Sequence, residues 1–411
     1  MKVALVYPSS YSFSRAYSWE VRFVNHGIGL ILANAKKEGV DIDLVDMRRC
    51  ADWPDYVQKI KGYDVIGFSA MSVDHKMAIQ AIRYARIKNP DAKIIVGGIG
   101  PSIQPDKWKE IPEVDYIYIG QGEVTFPEMI KKIEKGEEVK NVTLGVNPDV
   151  NELPYIDRSL WDEEFPWGLQ GFTGKPPFKT FMSSRACVFR CTFCQPTADL
   201  MYGKGKERRR SVEHFMEEIR QNPFESWMIH DDGFTQNLEW VAELCDAYSK
   251  EFEPKPLIIQ SRASFLIQED YVKMMRDKLG LEWCIIGFES GSDKVLKDLN
   301  KAQTRKICEM AAANLHKCGV KIFANIMYGT PTETNEDALL TLDMLKNIQP
   351  QHYSPTTYMP YPGSFLYEKC KKEGLILTEE GNRYAGAPKI KGIDYNFVNK
   401  VLQEGYQYVK N

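Results

Sequence analysis

The 411-residue chain is 43% hydrophobic and 27% charged, a globular balance with room for two or three domains. Its 53 Lys and Arg against 56 Asp and Glu leave a net charge of −3, too even to suggest a nucleic-acid partner or an anionic membrane surface. No apolar run approaches the roughly 18 residues of a membrane span. The opening Met1–Pro8 reads as a strand rather than a secretory signal, so a cytoplasmic protein is expected.

Strand and helix patterns alternate from the start. Lys2–Tyr7 reads as a strand, His26–Lys37 as a helix, and Asp41–Val45 and Tyr63–Ser69 as the next two strands. Lys76–Lys88 has helical spacing and stops before Pro90, Lys93–Val96 and Val114–Ile119 are strands, and Phe126–Ile133 is an amphipathic helix. This alternation predicts an α/β, doubly wound (Rossmann-like) domain over residues 1–140, with any ligand beyond the carboxyl ends of its strands. Three stretches follow those ends: Ser69-Ala70-Met71-Ser72, Gly97-Gly98, and Gly120-Gln121-Gly122-Glu123. Glycine allows close backbone approach and hydroxyls supply hydrogen bonds, although each stretch taken alone is also ordinary turn chemistry. None fits a nucleotide fingerprint: no GxGxxG follows the first strand and no GxxxxGK[ST] occurs.

Residues 141–177 carry Pro, Trp and Gly without clear periodicity and read as an ordered linker. Of nine cysteines, three then fall within eight residues: Cys187-Val188-Phe189-Arg190-Cys191-Thr192-Phe193-Cys194. The other six are scattered and read as small buried hydrophobes. CxxxCxxC offers three thiolates from one loop, enough for three corners of a 4Fe-4S cluster with one iron left open. A structural zinc site is the alternative, disfavoured because no fourth Cys or His follows in paired spacing.

Further strand–helix units follow. Trp227–His230 leads into Asp231-Asp232-Gly233-Phe234-Thr235, and Leu257–Gln260 into Ser261-Arg262-Ala263. Glu282–Phe288 leads into Glu289-Ser290-Gly291-Ser292, Lys321–Met327 into Tyr328-Gly329-Thr330-Pro331-Thr332-Glu333-Thr334, and Ser354–Met359 into Pro360-Tyr361-Pro362-Gly363-Ser364. Repetition of this unit predicts a partial (β/α)6 barrel over 178–369, its polar groups gathered at the strand C-termini, followed by a C-terminal segment, 370–411.

The cysteine loop and the DDGFT, FESGS, GTPTET and PYPGS stretches, in that order, resemble the radical S-adenosylmethionine (SAM) superfamily. The joint arrangement of the three upstream stretches resembles the cobalamin-binding domain of one group within it. The resemblance implies that Cys187, Cys191 and Cys194 hold the cluster and that SAM occupies the open iron. It puts Phe193 beside the adenine, Asp231 and Asp232 near the methionyl amine (with helix capping as the competing role), and Arg262 on the methionyl carboxylate. Glu289 and Ser290 match positions near the ribose or amino-acid moiety, and Met327, Tyr328 and Gly329 lie along the adenine. Ser69, Met71, Ser72, His75, Gly97, Gly98, Gly120, Gln121, Gly122 and Glu123 would line the cobalamin. Two departures stand out. Ala186 and Val188 replace the usual Gly and Pro around the first cysteine, and the DxHxxG that ligates cobalt elsewhere is absent. His75 is then the nearest candidate to the cobalt face, with a plain helix-start role competing.

The function implied is a C-methyltransferase using SAM, the 4Fe-4S cluster and cobalamin (as methylcobalamin) on an unactivated carbon, fed by a low-potential donor such as ferredoxin or flavodoxin. Cyclisation, ring contraction or dehydration with the same cofactors is the alternative, and a non-catalytic cobalamin or iron–sulfur sensor another. Length and the short C-terminal part also resemble the methanogen enzymes that C-methylate a glutamine of methyl-coenzyme M reductase. That implies a protein or peptide substrate, against a small molecule or lipid intermediate.

Overall fold

Along β1 (Val3–Tyr7), Val3, Leu5 and Tyr7 join one hydrophobic core while Ala4 and Val6 join another. Such period-two burial on both faces is what a strand needs when helices cover a sheet from both sides. The computed structural model describes residues 1–10, 12–13, 23–161, 167–169, 172–195, 207–378 and 388–410. It divides into two compact units, Met1–Phe165 with Thr197–Arg208, and Pro166–Pro196 with Arg209–Asn411. No described helix is long and apolar enough to cross a membrane.

The first unit runs β1, α1 (His26–Lys37), β2 (Ile42–Asp46), α2 (Trp53–Lys59), β3 (Val65–Ser69), α3 (His75–Lys88), β4 (Lys93–Gly97), α4 (Ile99–Ile103), α5 (Pro105–Lys109), β5 (Tyr116–Ile119), α6 (Thr125–Glu134) and β6 (Val142–Leu144). Its sheet is parallel in the order β2-β1-β3-β4-β5-β6. Helices α1 and α6 cover one face, and α2, α3 and α5 the other. The winding reverses between β1 and β3, the point at which sheets of this kind open a crevice for ligands. The stretch 141–177, expected as a linker, starts inside this unit: Val142 pairs with Ile117, and Ile156 and Trp161 pack in the α1–α6 core. A three-residue edge strand and isolated apolar anchors leave no period to read, so the sequence pattern ends the sheet one strand early.

The second unit holds β7 (Phe178–Phe181), α7 (Val212–Gln221), β8 (Ser226–Ile229), α8 (Leu238–Glu251), β9 (Leu257–Ser261), α9 (Glu269–Leu279), β10 (Leu281–Glu289), α10 (Asp293–Asp298), α11 (Arg305–Lys317), β11 (Lys321–Tyr328), α12 (Asn335–Ile348), β12 (His352–Thr357), α13 (Phe365–Lys372) and α14 (Tyr395–Glu404). Six parallel strands lie side by side in chain order. Trp227 and Ile229 of β8, Leu257 and Ile259 of β9, Ile286 and Phe288 of β10, and Ile326 and Tyr328 of β11 share one core with the helices. The residues between them turn to the opposite face. Val398 and Val401 of α14 belong to the same core, so the segment 370–411 completes the helical layer.

Candidate active site

In the first unit the strand ends are tied by their own backbone. The Ala70 N–H donates to Gly97 O, and the Gly100 N–H to Ala70 O, each at 2.9 Å. Gly98 sits at φ 96°, and a Cβ there would lie 2.7 Å from Ala70 O. Glycine at 98 is therefore required by the approach of two strand ends to each other, before any ligand is considered. The Ser102 hydroxyl, which sequence reading missed, donates to Gly98 O at 2.7 Å and accepts from the Gly120 N–H at 3.0 Å. Ser69, Met71, Ser72, Gly97, Gly98 and Gly120 remain half-buried at these ends.

Gln121, Gly122 and Glu123 turn inward instead and are buried. Tyr118 Oη donates to Gln121 O at 2.8 Å, Asn34 Nδ2 to Glu123 O at 2.7 Å, and a Cβ on Gly122 would meet the Ile31 side chain at 3.0 Å. Their role in this structure is to seat α6 and α1. His75, the first residue of α3, is half-buried with its ring edge-on to Trp108 at 4.8 Å. Burial, then Lys107, holds its imidazole below the ordinary value. Beside it, Asp74 is fully buried and accepts N–H bonds from Ser10 (2.7 Å) and Met71 (3.3 Å), linking the segments after β1 and β3. Burial outweighs those bonds and raises its carboxyl to about 6.

In the second unit the cysteine loop follows β7, and three other segments pin it. Gln236 accepts from the Val188 N–H at 2.8 Å and donates to Ala186 O at 3.1 Å, bracketing Cys187. The Thr192 N–H donates to Leu299 O, and the Leu366 N–H to Thr192 O. Asn300 Nδ2 donates to Arg190 O at 2.7 Å. Ala186 adopts φ 76°, the conformation for which a glycine is usual, so the loop keeps its shape and the alanine bears the strain. Burial, with Asp232 adding, holds the Cys187 thiol above its ordinary value against the pull of Arg262.

Strand parity sorts the remaining candidates. Asp231 is buried and saturated: it accepts from the N–H groups of Ser183 (2.7 Å) and Ser184 (3.2 Å) and from both hydroxyls, with Arg209 at 3.8 Å. It latches the end of β7 to the end of β8. Asp232 is exposed as a residue, yet desolvation by the surrounding protein first, then Asp231, keeps its carboxyl above the usual carboxylate range. Arg262, following β9, is buried with its guanidinium 3.7 Å from the centroid of the Phe189 ring. Its Nη1 reaches Cys191 Sγ at 3.4 Å, while Nε and Nη2 have no hydrogen-bond partner among the described residues. Ser264 Oγ nearby is in the same state.

Glu289 sits at φ 66° and pairs with Lys301 at 2.8 Å, and Lys301 in turn faces the Phe193 ring at 5.7 Å. Phe193 and Met327 pack in one small cluster with Val295, Leu299 and Tyr358. Ser290 and Tyr328 point elsewhere. The Ser290 hydroxyl meets Thr341 Oγ1 of α12 and accepts from the Ser292 N–H, and Tyr328 lies in the helical core with its hydroxyl on that of Tyr353. Gly329, at φ 73°, gives its N–H to the carboxylate of Glu333, which also accepts from the Thr330 N–H at 3.2 Å. Burial raises the Glu333 carboxyl to about 7. Phe189, Gln236, Ser264 and Lys301 were not singled out from sequence. The signals available were an aromatic inside the cysteine loop, and polar residues directly after two strand-end motifs (Gln236, Ser264) and nine positions after a third (Lys301).

The barrel-top donors fit the expected cofactors. A buried guanidinium with two idle N–H groups matches a carboxylate, an accessible carboxylate matches an ammonium, and both stand beside three thiols on one loop. Comparison with known proteins agrees. Residues 17–130 match the B12 binding domain and residues 181–345 the radical SAM superfamily. The chain is 26% identical to an uncharacterised methyltransferase of Pyrococcus horikoshii over 99% of this chain and 92% of that protein. It is 21% identical to the anaerobic magnesium-protoporphyrin IX monomethyl ester cyclase of Rubrivivax gelatinosus over 98% of this chain and 74% of that one. Its fold matches the radical SAM methyltransferase TsrM from Kitasatospora setae with a TM-score of 0.71, at 14% identity over 91% of this chain and 75% of that chain. It matches the cobalamin-dependent radical SAM enzyme OxsB at 0.73, with 17% identity over 97% of this chain and 65% of that one. With a B12 binding domain joined to a radical SAM domain, the chain belongs to the cobalamin-dependent radical SAM enzymes, whose cofactors are cobalamin, a 4Fe-4S cluster and SAM.

Proposed function

We propose that this enzyme is a C-methyltransferase acting on an unactivated carbon, with a peptide glutamine such as that of methyl-coenzyme M reductase as the substrate. The observation that carries the SAM half of this reading is Arg262, whose two unpartnered N–H groups lie beside Cys191. When bound, cobalamin supplies a methyl carrier, and the cluster with SAM supplies hydrogen abstraction from carbon. Cys187, Cys191 and Cys194 hold the cluster, Arg262 receives the methionyl carboxylate, and Asp232 receives the ammonium. Phe193 and Met327 flank the adenine, and Glu289, fixed by Lys301, orients the ribose or amino-acid end. The half-buried strand ends at 69–72, 97–98 and 120, with His75 beside them, bind the cobalamin. Asp231, Ser290 and Tyr328 hold the scaffold, and an external low-potential donor supplies electrons.

Methylation is supported by relatives named as methyltransferases, among them the hopanoid C-3 methylase of Methylococcus capsulatus and the bacteriochlorophyllide d C-12(1)-methyltransferase of Chlorobaculum tepidum. Those names also favour a lipid or small molecule as the second substrate class. The cyclase of Rubrivivax gelatinosus supports a second reaction, ring closure with the same cofactors. One experiment separates them. The reconstituted enzyme is given methyl-deuterated SAM, a low-potential reductant and a glutamine-containing peptide of methyl-coenzyme M reductase, and the by-products are quantified by mass spectrometry. Methylation predicts S-adenosylhomocysteine and 5′-deoxyadenosine in equal amounts, and a product carrying three deuteriums. 5′-Deoxyadenosine without matching S-adenosylhomocysteine overturns methylation in favour of rearrangement, and balanced by-products lacking a labelled peptide overturn the peptide substrate alone.

A further inference from the structure

Phe189 lies inside the cysteine loop, two residues after Cys187, where an aromatic is not needed to bind iron. Its ring is half-buried, with the Arg262 guanidinium carbon 3.7 Å above its centroid, a close cation–π stack. The ring also makes a T-shaped contact with Phe265, ring centroids 5.8 Å apart at 70°. Phe265 ends the short 3-10 turn Ala263–Phe265 for which Arg262 is the cap residue. Arg262, Phe189 and Phe265 thus form a closed circuit: the turn carrying the arginine also braces the ring on which the arginine lies. Stacking engages the π face of a guanidinium and none of its in-plane N–H donors. One of those donors is taken by Cys191 Sγ, and the Nε and Nη2 groups are left together on the remaining edge. An arginine side chain free to rotate would lose rotamer entropy on donating a fork of hydrogen bonds. Here the plane is set in advance.

We infer that Phe189 is a positioning residue for SAM: its ring fixes the plane of Arg262 so that the unpartnered N–H edge meets the methionyl carboxylate. This rests on the reading in which Arg262 receives that carboxylate. Phe189 touches neither the carboxylate nor the iron in this scheme and acts through the arginine.

The test uses the full chain with its cluster reconstituted and measures SAM binding by equilibrium dialysis, alongside iron content and the change in the cluster's EPR spectrum on adding SAM. Phe189→Leu keeps bulk but removes the π face; it should retain iron and thermal stability while binding SAM about tenfold more weakly. Phe189→Tyr keeps the face and should stay within about twofold of the parent, with the parent's EPR change on adding SAM. Arg262→Met should lose at least as much affinity as Phe189→Leu. Equal SAM affinity in Phe189→Leu and the parent overturns the inference, as does loss of affinity in Phe189→Tyr as large as in Phe189→Leu. Loss of the cluster from Phe189→Leu also overturns it, by making the ring a folding element of the loop. Parental affinity in Arg262→Met, with SAM still bound, overturns the carboxylate assignment beneath it.

Discussion

After β3, β4 and β5 the loops of the first unit bond to one another through main-chain atoms and one serine hydroxyl, and few side chains project. After β8, β9 and β10 of the second unit the loops present side chains, some saturated by the scaffold and some idle. A surface made of backbone suits a large ligand held by shape and many weak contacts. One made of Arg262, Asp232 and three thiols suits a small zwitterion held by charge. The same strand–helix repeat yields both, because the difference lies only in which residues follow the strands.

Scaffold and site separate most clearly at two adjacent aspartates. Asp231→Ala removes an acceptor shared by Ser183, Ser184 and Arg209, leaving buried N–H and O–H donors unsatisfied, and should cost about 3–5 kcal/mol in urea unfolding. Asp232→Asn should stay within about 0.5 kcal/mol of the parent yet bind SAM more weakly. Similar stability losses in both would end the assignment of one to scaffold and the other to site.

Each unit also closes a strand end with a buried carboxyl that accepts backbone N–H bonds, Asp74 at about 6 and Glu333 at about 7. Both lie above their unfolded values, so the stability they favour is present below about pH 4 and is lost as pH rises through 6 and 7. The protein should therefore unfold more easily at pH 8 than at pH 5 by an amount of order 1–3 kcal/mol per group. Asp74→Asn and Glu333→Gln should each flatten one part of that profile in urea titrations across pH. A profile unchanged in both variants would mean these carboxyls stay ionised.

Ala186 should matter least to stability. Replacing it by Gly relieves a left-handed backbone, at the cost of a more flexible unfolded chain, and should raise stability by no more than about 1 kcal/mol. The cysteine loop should keep its iron content. A destabilised variant would indicate that the methyl group packs usefully.

The helix His26–Lys37, the parallel sheets and the gathering of motifs at strand ends were legible in the sequence because each rests on local periodicity. Which of two neighbours faces the site was less so. Asp231 and Asp232, Glu289 and Ser290, and Met327 and Tyr328 are adjacent pairs, and strand alternation sends only one of each pair to the face away from the helices. The parity could be read from Trp227 and Ile229, or from Ile326, once those are known to lie under helices. That knowledge is tertiary. Gly98 carried a similar ambiguity, since close approach to a ligand and to Ala70 demand the same residue. Phe189, Gln236 and Lys301 work through contacts 12 to 73 residues away in the chain, to Glu289, Ala186, Val188 and Arg262, for which no spacing rule exists.

The grip of Gln236 on Ala186 and Val188 has a consequence for redox cycling. A carboxamide neither titrates nor carries net charge. A clamp made from a carboxylate or an ammonium would be pushed or pulled by any change of charge on a group bound at these cysteines. An amide responds only weakly, through its dipole. The backbone on either side of Cys187 is thereby held by a neutral group, whose grip would depend little on the charge of whatever that loop binds.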